Sequence, residues 1–541
     1  EEIKDKSEEN KEEGSKVKKT DKKKSAWLEL CPEDKVKKRL ANNLIYLKEN
    51  SKEPIDILEL YLTSLANVYD PHSAYMSPKT VEDFNINMSL SLSGIGATLT
   101  MDDGYTKVLS LVPGGPADLD GRLEPEDRII SVAQGDSEPV DVIDMPLNKV
   151  VRLIRGKEKT EVRLTVLKSS KGLHSVPEVI SIIRDKVKLT HQEAKGNIKE
   201  VSMDGVSSKI GIIHLPSFYY DFEGAQSGAS NIKSSTEDVR KILENFKKEN
   251  TDGIIIDLRS NGGGSLHEAI TLTGLFIRSG PVVQVKSSTG AVEVKMDPDR
   301  NIVYEGPLVV LVNKLSASAT EIFAAAIQDY KRGIIIGDEH THGKGTVQTI
   351  LDLDELTNYY NLGIKAGAVK ITTQKFYRIN GESTQLKGVT PDIIFPSFTD
   401  YLDIGEKYLE HALPWDCIPA VKYAKVNHIN EFLPELISNS EKRTSANKDF
   451  MLLIKNVETF KKIKNENTVS LNEIKRWNKY MEEKKVFDQQ EALMKMEEGE
   501  EDKTKEQNEK KKDVYIEESI NIICDFIRLK NNQSIPSAVN Q

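Results

Sequence analysis

Three short runs without a polar interruption, "GIII" (253–256), "LVVLV" (308–312) and "IIIG" (334–337), constrain the fold more than any other feature of the chain. A strand with one wet face alternates apolar and polar residues; these do not, so both faces of each strand must be covered. Helical patterns separate them: "STEDVRKILENFKKENT" precedes the first, "LHEAITLTGLFI" follows it, and "SATEIFAAAIQDYKRG" joins the second to the third. Buried strands alternating with helices imply β-α-β crossovers, and the predicted fold class is α/β within an α+β multidomain chain. Ligands of such sheets gather where strands hand over to helices.

Two handovers carry unusual residues. "NGGG" (261–264) follows the first strand, and "NKLSASATE" (313–321) follows the second with Ser316, Ser318 and Thr320 alternating with alanines. Ser318 sits where a helix begins, so the unpaired N–H groups of its first turn, starting with Ala319, are suited to an oxyanion. A second donor is expected between Asn261 and Gly264, because glycine lets backbone approach a substrate closely. The plainer role of the stretch is N-capping, with Glu321 three residues after Ser318 completing a capping box. His340, His342 and Lys344, in "GDEHTHGKGT", compete as the base that would take a serine proton. That segment is a poor phosphate loop, since five residues separate Gly337 from Gly343 and Gly345 follows Lys344 where a magnesium-binding Ser or Thr belongs. Its H-T-H is too little for zinc.

At 541 residues the chain needs several cores, each of roughly 100–200 residues. A net charge of -10 argues against a nucleic-acid binder, and no run approaches the roughly 20 apolar residues of a membrane span. Cys31, Cys417 and Cys524 form no C-x-x-C pair, so neither zinc site nor disulfide framework is expected. The chain starts without a methionine or a signal peptide and reads as a processed product or fragment. Residues 1–25 have too few apolar groups to order themselves and are expected to be a disordered arm. Helical spacing marks a module over 26–88, with "KVKKRLANNLIYLKE", "IDILELYLTSLANVY" and then a turn at "DPHSAYMSP". Short strands with glycine punctuation fill 89–170, the alternating core 171–396, and helices 397–541. The charged run "MEEGEEDKTKEQNEKKKD" in that last part reads as a solvated helix face or flexible loop.

The loop Ser93-Gly94-Ile95-Gly96-Ala97, followed by "GGPADLDG" and "DRIISV", resembles a PDZ domain. The resemblance implies that the loop offers backbone N–H groups to a peptide's terminal carboxylate while the peptide adds as a strand. "DLRSNGGG", "SASATEIFAAAIQDY" and "GKGTVQ", with "DPHSAYMSP" upstream and "KFYRINGESTQLKGVTPDI" and "ALPWD" downstream, closely resemble the carboxy-terminal processing peptidases, nearest to the long, tail-specific form of the bacterial cell envelope. That likeness implies a crotonase/ClpP-like serine protease core with an inserted PDZ domain and flanking helical domains. It assigns Ser318 as nucleophile, Lys344 as general base, Gln348 as the residue positioning the lysine, and the N–H groups of Gly264 and Ala319 as oxyanion hole. Asp329 matches an aspartate sometimes grouped with the catalytic residues, and reads here as structural. The implied substrates are proteins with free, unstructured, apolar carboxy-terminal tails, the implied location the periplasm, the implied partner a lipoprotein adaptor; no metal or cofactor is implied.

The Ser–Lys chemistry is demanding, because bringing a lysine from about 10.4 to about 7.5 costs roughly 4 kcal/mol. Burial can supply it if no carboxylate pairs with the ammonium. One departure from the family pattern is the 26-residue interval from Ser318 to Lys344, one longer than expected, with the extra residue in "DEHTH". A displaced Lys344 would leave the alternative function, a catalytically silent PDZ scaffold.

Overall fold

The structure, a computed structural model, describes residues 37, 54–171, 176–203, 206–360, 363–426, 429–466, 468, 470–497 and 513–533. The arm at 1–25, the segment "KVKKRLANNLIYLKE" apart from Lys37, and most of the charged run at 496–513 lie outside the described residues. The chain divides into two compact units, one holding 93–187, the other 52–92 with 188–541.

In the first unit the strands Ala97–Asp102, Tyr105–Leu111, Arg128–Gln134, Glu161–Leu167 and Glu178–Ile183 form a sheet in that order, with Val140–Asp141 paired to the third. Pro116 opens the helix Pro116–Asp120 and Gly121 ends it at φ 71°, a pairing of pre-set N-terminal φ with a left-handed exit. Val108, Ile129, Val150, Val162 and Leu164 are fully buried at its centre. Ala97–Asp102 is an edge strand, and the helix Leu147–Ile154 lies beside it.

The second unit is organised by the predicted crossovers. Val206–His214, Gly253–Asp257, Leu308–Val312, Ile334–Gly337 and Ile393–Ile394 run parallel, and Lys195–Met203 adds antiparallel at one edge. Strand periodicity sends alternate side chains to opposite layers. Ile254, Ile256 and Val310 meet the helices Ser235–Lys248, Leu266–Gly274 and Ala319–Asp329, whereas Ile255, Val309 and Ile336 meet Ile429–Ala446, Lys448–Asn465 and Val514–Gln533. The carboxy-terminal helices are thus the second cover of the sheet, and the expected helical region 397–541 contributes to the same core. A second, antiparallel sheet contains Ala74–Met76, Pro281–Ser287, Val292–Met296, Thr346–Asp352 and Ala368–Tyr377. Sequence reading put only a turn at "DPHSAYMSP". Three residues carry no readable period, and Ala74–Met76 becomes a strand only because Ala368–Lys370 offers it a ladder.

Candidate active site

Ser318 is the residue from which the helix Ala319–Asp329 starts, and its φ of 58° lies in the left-handed region, a strain of about 1–3 kcal/mol that functional positions tolerate. Its neighbours are pinned. Ser316 Oγ donates to the Leu258 carbonyl at 2.8 Å, Ala317 N–H to the Asn261 carbonyl at 3.0 Å, and Thr320 Oγ1 to the same carbonyl and to Asn261 Oδ1 at 2.9 Å. Of the three hydroxyls, Ser316 and Thr320 are therefore buried and occupied. Ser318 is half-buried; its hydroxyl stands in the capping-box position without making a cap hydrogen bond of full geometry.

The glycine turn is laid directly on this loop. A Cβ on Gly263 would stand 2.9 Å from Ser318 Cβ and 3.0 Å from the Ala319 nitrogen, and one on Gly264 would stand 2.3 Å from the Phe218 oxygen, so side chains are excluded at both. Neither the Gly264 nor the Ala319 N–H reaches an acceptor among the described residues, and both remain available to an oxyanion. The turn is held from below by Arg259, which grips Asp257 through two hydrogen bonds of 2.9 and 2.7 Å and reaches Asp513 at 2.7 Å. Burial works against the Asp257 carboxylate, yet Arg259 and His214 keep its pKa well below the usual range.

Glu321, fully buried, joins the two catalytic candidates. Its Oε2 accepts from the Ser318 N–H at 2.8 Å and the Lys344 N–H at 2.9 Å; its Oε1 accepts from Thr341 Oγ1 at 2.6 Å and Gly343 N–H at 2.7 Å. One carboxylate oxygen thereby ties the backbones of residues 318 and 344 together. Burial pushes its pKa up to about 7 against those four donors. Sequence reading saw Glu321 only as a cap; what it missed is that the other donors come from the "THGK" loop.

Lys344 is largely buried, and among the described residues its Nζ has no hydrogen bond or ion pair. Burial, then the nearby Lys370, lowers its pKa to about 8, with Glu406, Glu321 and Asp70 pulling the other way. The extra residue of "DEHTH" leaves the loop anchored: His342 N–H donates to the Ser316 carbonyl at 3.0 Å and Val389 N–H to Thr341 Oγ1 at 2.8 Å. Gln348 makes no hydrogen bond to the lysine Nζ among the described residues. Its Nε2 donates to Thr346 and Thr372 hydroxyls at 2.9 and 3.0 Å, and Thr372 in turn donates to Asp70 at 2.7 Å. Asp329 is not brought to the group at all: it ends the helix that Ser318 begins, about 15 Å along at 1.5 Å per residue, and pairs with Arg378 at 2.5 Å.

Of the competing histidines, His340 Nδ1 sits 2.6 Å from the Thr341 carbonyl, and His342 Nδ1 lies 3.9 Å from Glu406 with no hydrogen-bond partner. Neither hydrogen-bonds Ser318. Glu406, wholly buried, instead accepts from His72 at 2.8 Å and from Gln385 at 2.9 Å, and Gln385 Oε1 accepts from the Gly345 N–H at 2.7 Å. His72 belongs to "DPHS", so that motif braces the lysine loop; no sequence pattern links it to Glu406. Among the described residues no group of three or more His, Cys, Asp or Glu could hold a metal ion.

In the other unit, the loop 93–97 is fixed by its carbonyls, Ile95 accepting from Ala117 and Gly96 from Val112, both at 2.8 Å. The Ile95 and Gly96 N–H groups donate to nothing among the described residues, and the Ser93 hydroxyl is buried without a partner. Ala97 follows at the start of the edge strand.

Residues 209–395 match peptidase family S41, 83–167 the PDZ domain, 2–79 the tail specific protease N-terminal domain and 399–528 its C-terminal domain. A carboxy-terminal-processing protease of Bartonella bacilliformis is 30% identical over 62% of this chain and 69% of its own length. The chain belongs to this protease family. A tail-specific protease of Haemophilus influenzae is 43% identical over 72% of this chain, and the match spans 52% of that relative's length. Among solved structures, the photosystem II D1 C-terminal processing protease aligns with 65% of the chain and 86% of its own at 25% identity, TM-score 0.35. The PDZ domain of a Vibrio cholerae carboxy-terminal protease, solved with a peptide, aligns with 18% of the chain and all of its own at 47% identity, TM-score 0.18. The family models place an S41 peptidase region and a PDZ domain on this chain of mixed helix and sheet.

Proposed function

We propose that this chain is a serine endopeptidase that captures unstructured, apolar carboxy-terminal tails through its PDZ domain and cleaves them with Ser318 and Lys344. The observation that carries the reading is the Glu321 bridge, which sets a strained serine and an unpaired, buried lysine on one carboxylate beside two vacant N–H groups. Lys344 in its neutral form takes the Ser318 proton as Oγ attacks the scissile carbonyl, and Gly264 and Ala319 receive the oxyanion. The ammonium then protonates the leaving amine, the peptide bond breaks, and water hydrolyses the acyl-enzyme by the same route in reverse. Location in the periplasm is proposed from the family resemblance; no helix among the described residues is long and apolar enough to cross a membrane.

The test is time-resolved mass spectrometry of an unfolded protein with an apolar tail, supplied with a free or an amidated terminus. Fragments are expected from the free acid, with a rate about tenfold or more lower for the amide, since each lost charge-assisted hydrogen bond is worth roughly 1.5–3 kcal/mol. Equal rates would remove PDZ capture, and binding without fragments would favour the silent scaffold. The pH profile adds an independent expectation. The active form of Lys344 is the free amine, so kcat/KM should rise with pH through about 8 and level off above it. A rate that is flat from pH 6 to 9 would exclude the lysine as base.

A further inference from the structure

Glu268 lies on the buried side of the helix Leu266–Gly274 and is 1% exposed, where a helical acid ordinarily faces water. Its Oε2 accepts from the Ser234 and Ser235 hydroxyls at 2.8 Å and from the Thr236 N–H at 2.7 Å, while Oε1 makes no hydrogen bond among the described residues. Asp297, 7% exposed, follows the strand Val292–Met296. Its Oδ2 also lacks a partner, and its carboxylate lies against Gly274, where a Cβ would stand 2.3 Å from it. Both acids line one cavity of about 250 Å³. Arg240, the guanidinium in that lining, is occupied by Glu237 at 3.3 Å and lies 3.8 Å from Asp299, and it forms no ion pair with Glu268 or Asp297. Burial raises the Asp297 pKa to about 6, which still leaves the group ionised at neutral pH. Two buried carboxylates that each leave an oxygen unpaired are costly to fold, and a cavity lined by both is suited to an incoming cation. No group of three or more His, Cys, Asp or Glu among the described residues could hold a metal ion, so the fitting cation is organic, an ammonium or a guanidinium.

The cavity is built on the segments that also carry the oxyanion turn. Phe218 pairs with Gly264: its N–H donates to the Gly263 carbonyl and its carbonyl accepts from the Ser265 N–H, both at 2.8 Å. Two residues on, Tyr220 bridges to Ser234, and its ring meets His267 edge-on at 5.4 Å. His267 is exposed, in the first turn of the helix that follows Gly264. Tyr220 and His267 both line the cavity, and two residues of extended chain span only about 7 Å. We propose that this cavity is a specificity pocket for a lysine or arginine side chain of the substrate, about two to three residues from the scissile bond. This rests on the Ser318–Lys344 reading and narrows its substrate class to unstructured tails with a basic residue near the point of cleavage.

The experiment is cleavage, by the full chain, of an unfolded, apolar-tailed polypeptide carrying lysine or norleucine, a similar stem without the charge. Each is placed in turn at every position within about four residues of the mapped scissile bond. At one position lysine is expected to raise kcat/KM about tenfold or more over norleucine, the worth of a charge-assisted hydrogen bond. Asp297→Asn and Glu268→Gln should each bring that ratio to about threefold or less. Asp297→Asn should unfold no lower than wild type, because it removes a buried charge that has no ion pair; a purely structural carboxylate would give a lower unfolding temperature and an unchanged ratio. Ratios near one at every position, or a preference that the folded variants keep, would overturn the pocket. Calorimetry of the same peptides on full-chain Ser318→Ala reads the lysine preference without turnover. If the wild type cleaves nothing, a lysine preference in binding that Asp297→Asn removes would keep the pocket and overturn only the dyad, whereas equal binding would overturn the pocket too. n-Butylammonium should compete with the lysine peptide; binding that leaves the peptide's affinity unchanged would make this a small-amine site and overturn the substrate role.

Discussion

Ser318→Ala is expected to lower cleavage of an unfolded, apolar-tailed protein by at least about a thousandfold while leaving tail binding unchanged. The loss should be of this order because neither neighbouring hydroxyl can substitute. Ser316 donates to Leu258, Thr320 donates to Asn261, and both are buried with their loop pinned on either side. Binding should persist because loop 93–97, the proposed peptide-binding loop, belongs to a unit with its own core. The substitution also removes little that stabilises the fold, since the hydroxyl makes no full cap hydrogen bond. Mass spectrometry for fragments and fluorescence anisotropy with a labelled tail peptide read the two halves separately. Fragment yield comparable to wild type would place the nucleophile elsewhere.

Glu321→Gln is the second large effect. The carboxylate accepts four hydrogen bonds; an amide keeps one oxygen and, in either orientation, turns an NH2 group toward at least one backbone N–H that cannot accept it. Leaving buried donors unpaired costs about 1–3 kcal/mol each, so a clear fall in unfolding temperature is expected. The larger consequence is geometric. Ser318 and Lys344 come from loops 26 residues apart in the chain, and this one oxygen holds both backbones. Misplacement on the ångström scale costs about a hundredfold, so kcat should fall by roughly 10²–10³ with KM changing far less. Activity within threefold of wild type would show that the loops are aligned by other contacts, of which the Glu406–Gln385–Gly345 brace is the strongest.

Much of this was legible before any coordinates, and for local reasons. Unbroken apolar runs can only be doubly covered strands, and Gly253–Asp257, Leu308–Val312 and Ile334–Gly337 form the centre of a parallel sheet with helices on both faces. Ser318 at a helix start and glycines at 263 and 264 are local turn chemistry, readable from spacing. The lack of an acid beside Lys344 in sequence is matched by the lack of an ion pair among the described residues.

What the chain's order could not reveal are contacts between distant segments. Strand and helix periods say which face of an element is apolar but not which element will cover it. The carboxy-terminal helices therefore read as a separate region, whereas Phe450, Tyr515 and Ile523 close the second face of the sheet and Asp513 anchors Arg259 under the oxyanion turn. Asp329 and Glu321 lie on the same helix, and only its direction decides that Glu321 faces the lysine loop while Asp329 ends up beside Arg378. His72 meets Glu406, and Asp70 meets Thr372 beside Gln348, where a three-residue strand and a ten-residue strand pair across most of the chain. Residue types and local spacing determined the reactive groups; the tertiary structure decided the charges around them, because electrostatics depends on distance in space and sequence separation sets no limit on it.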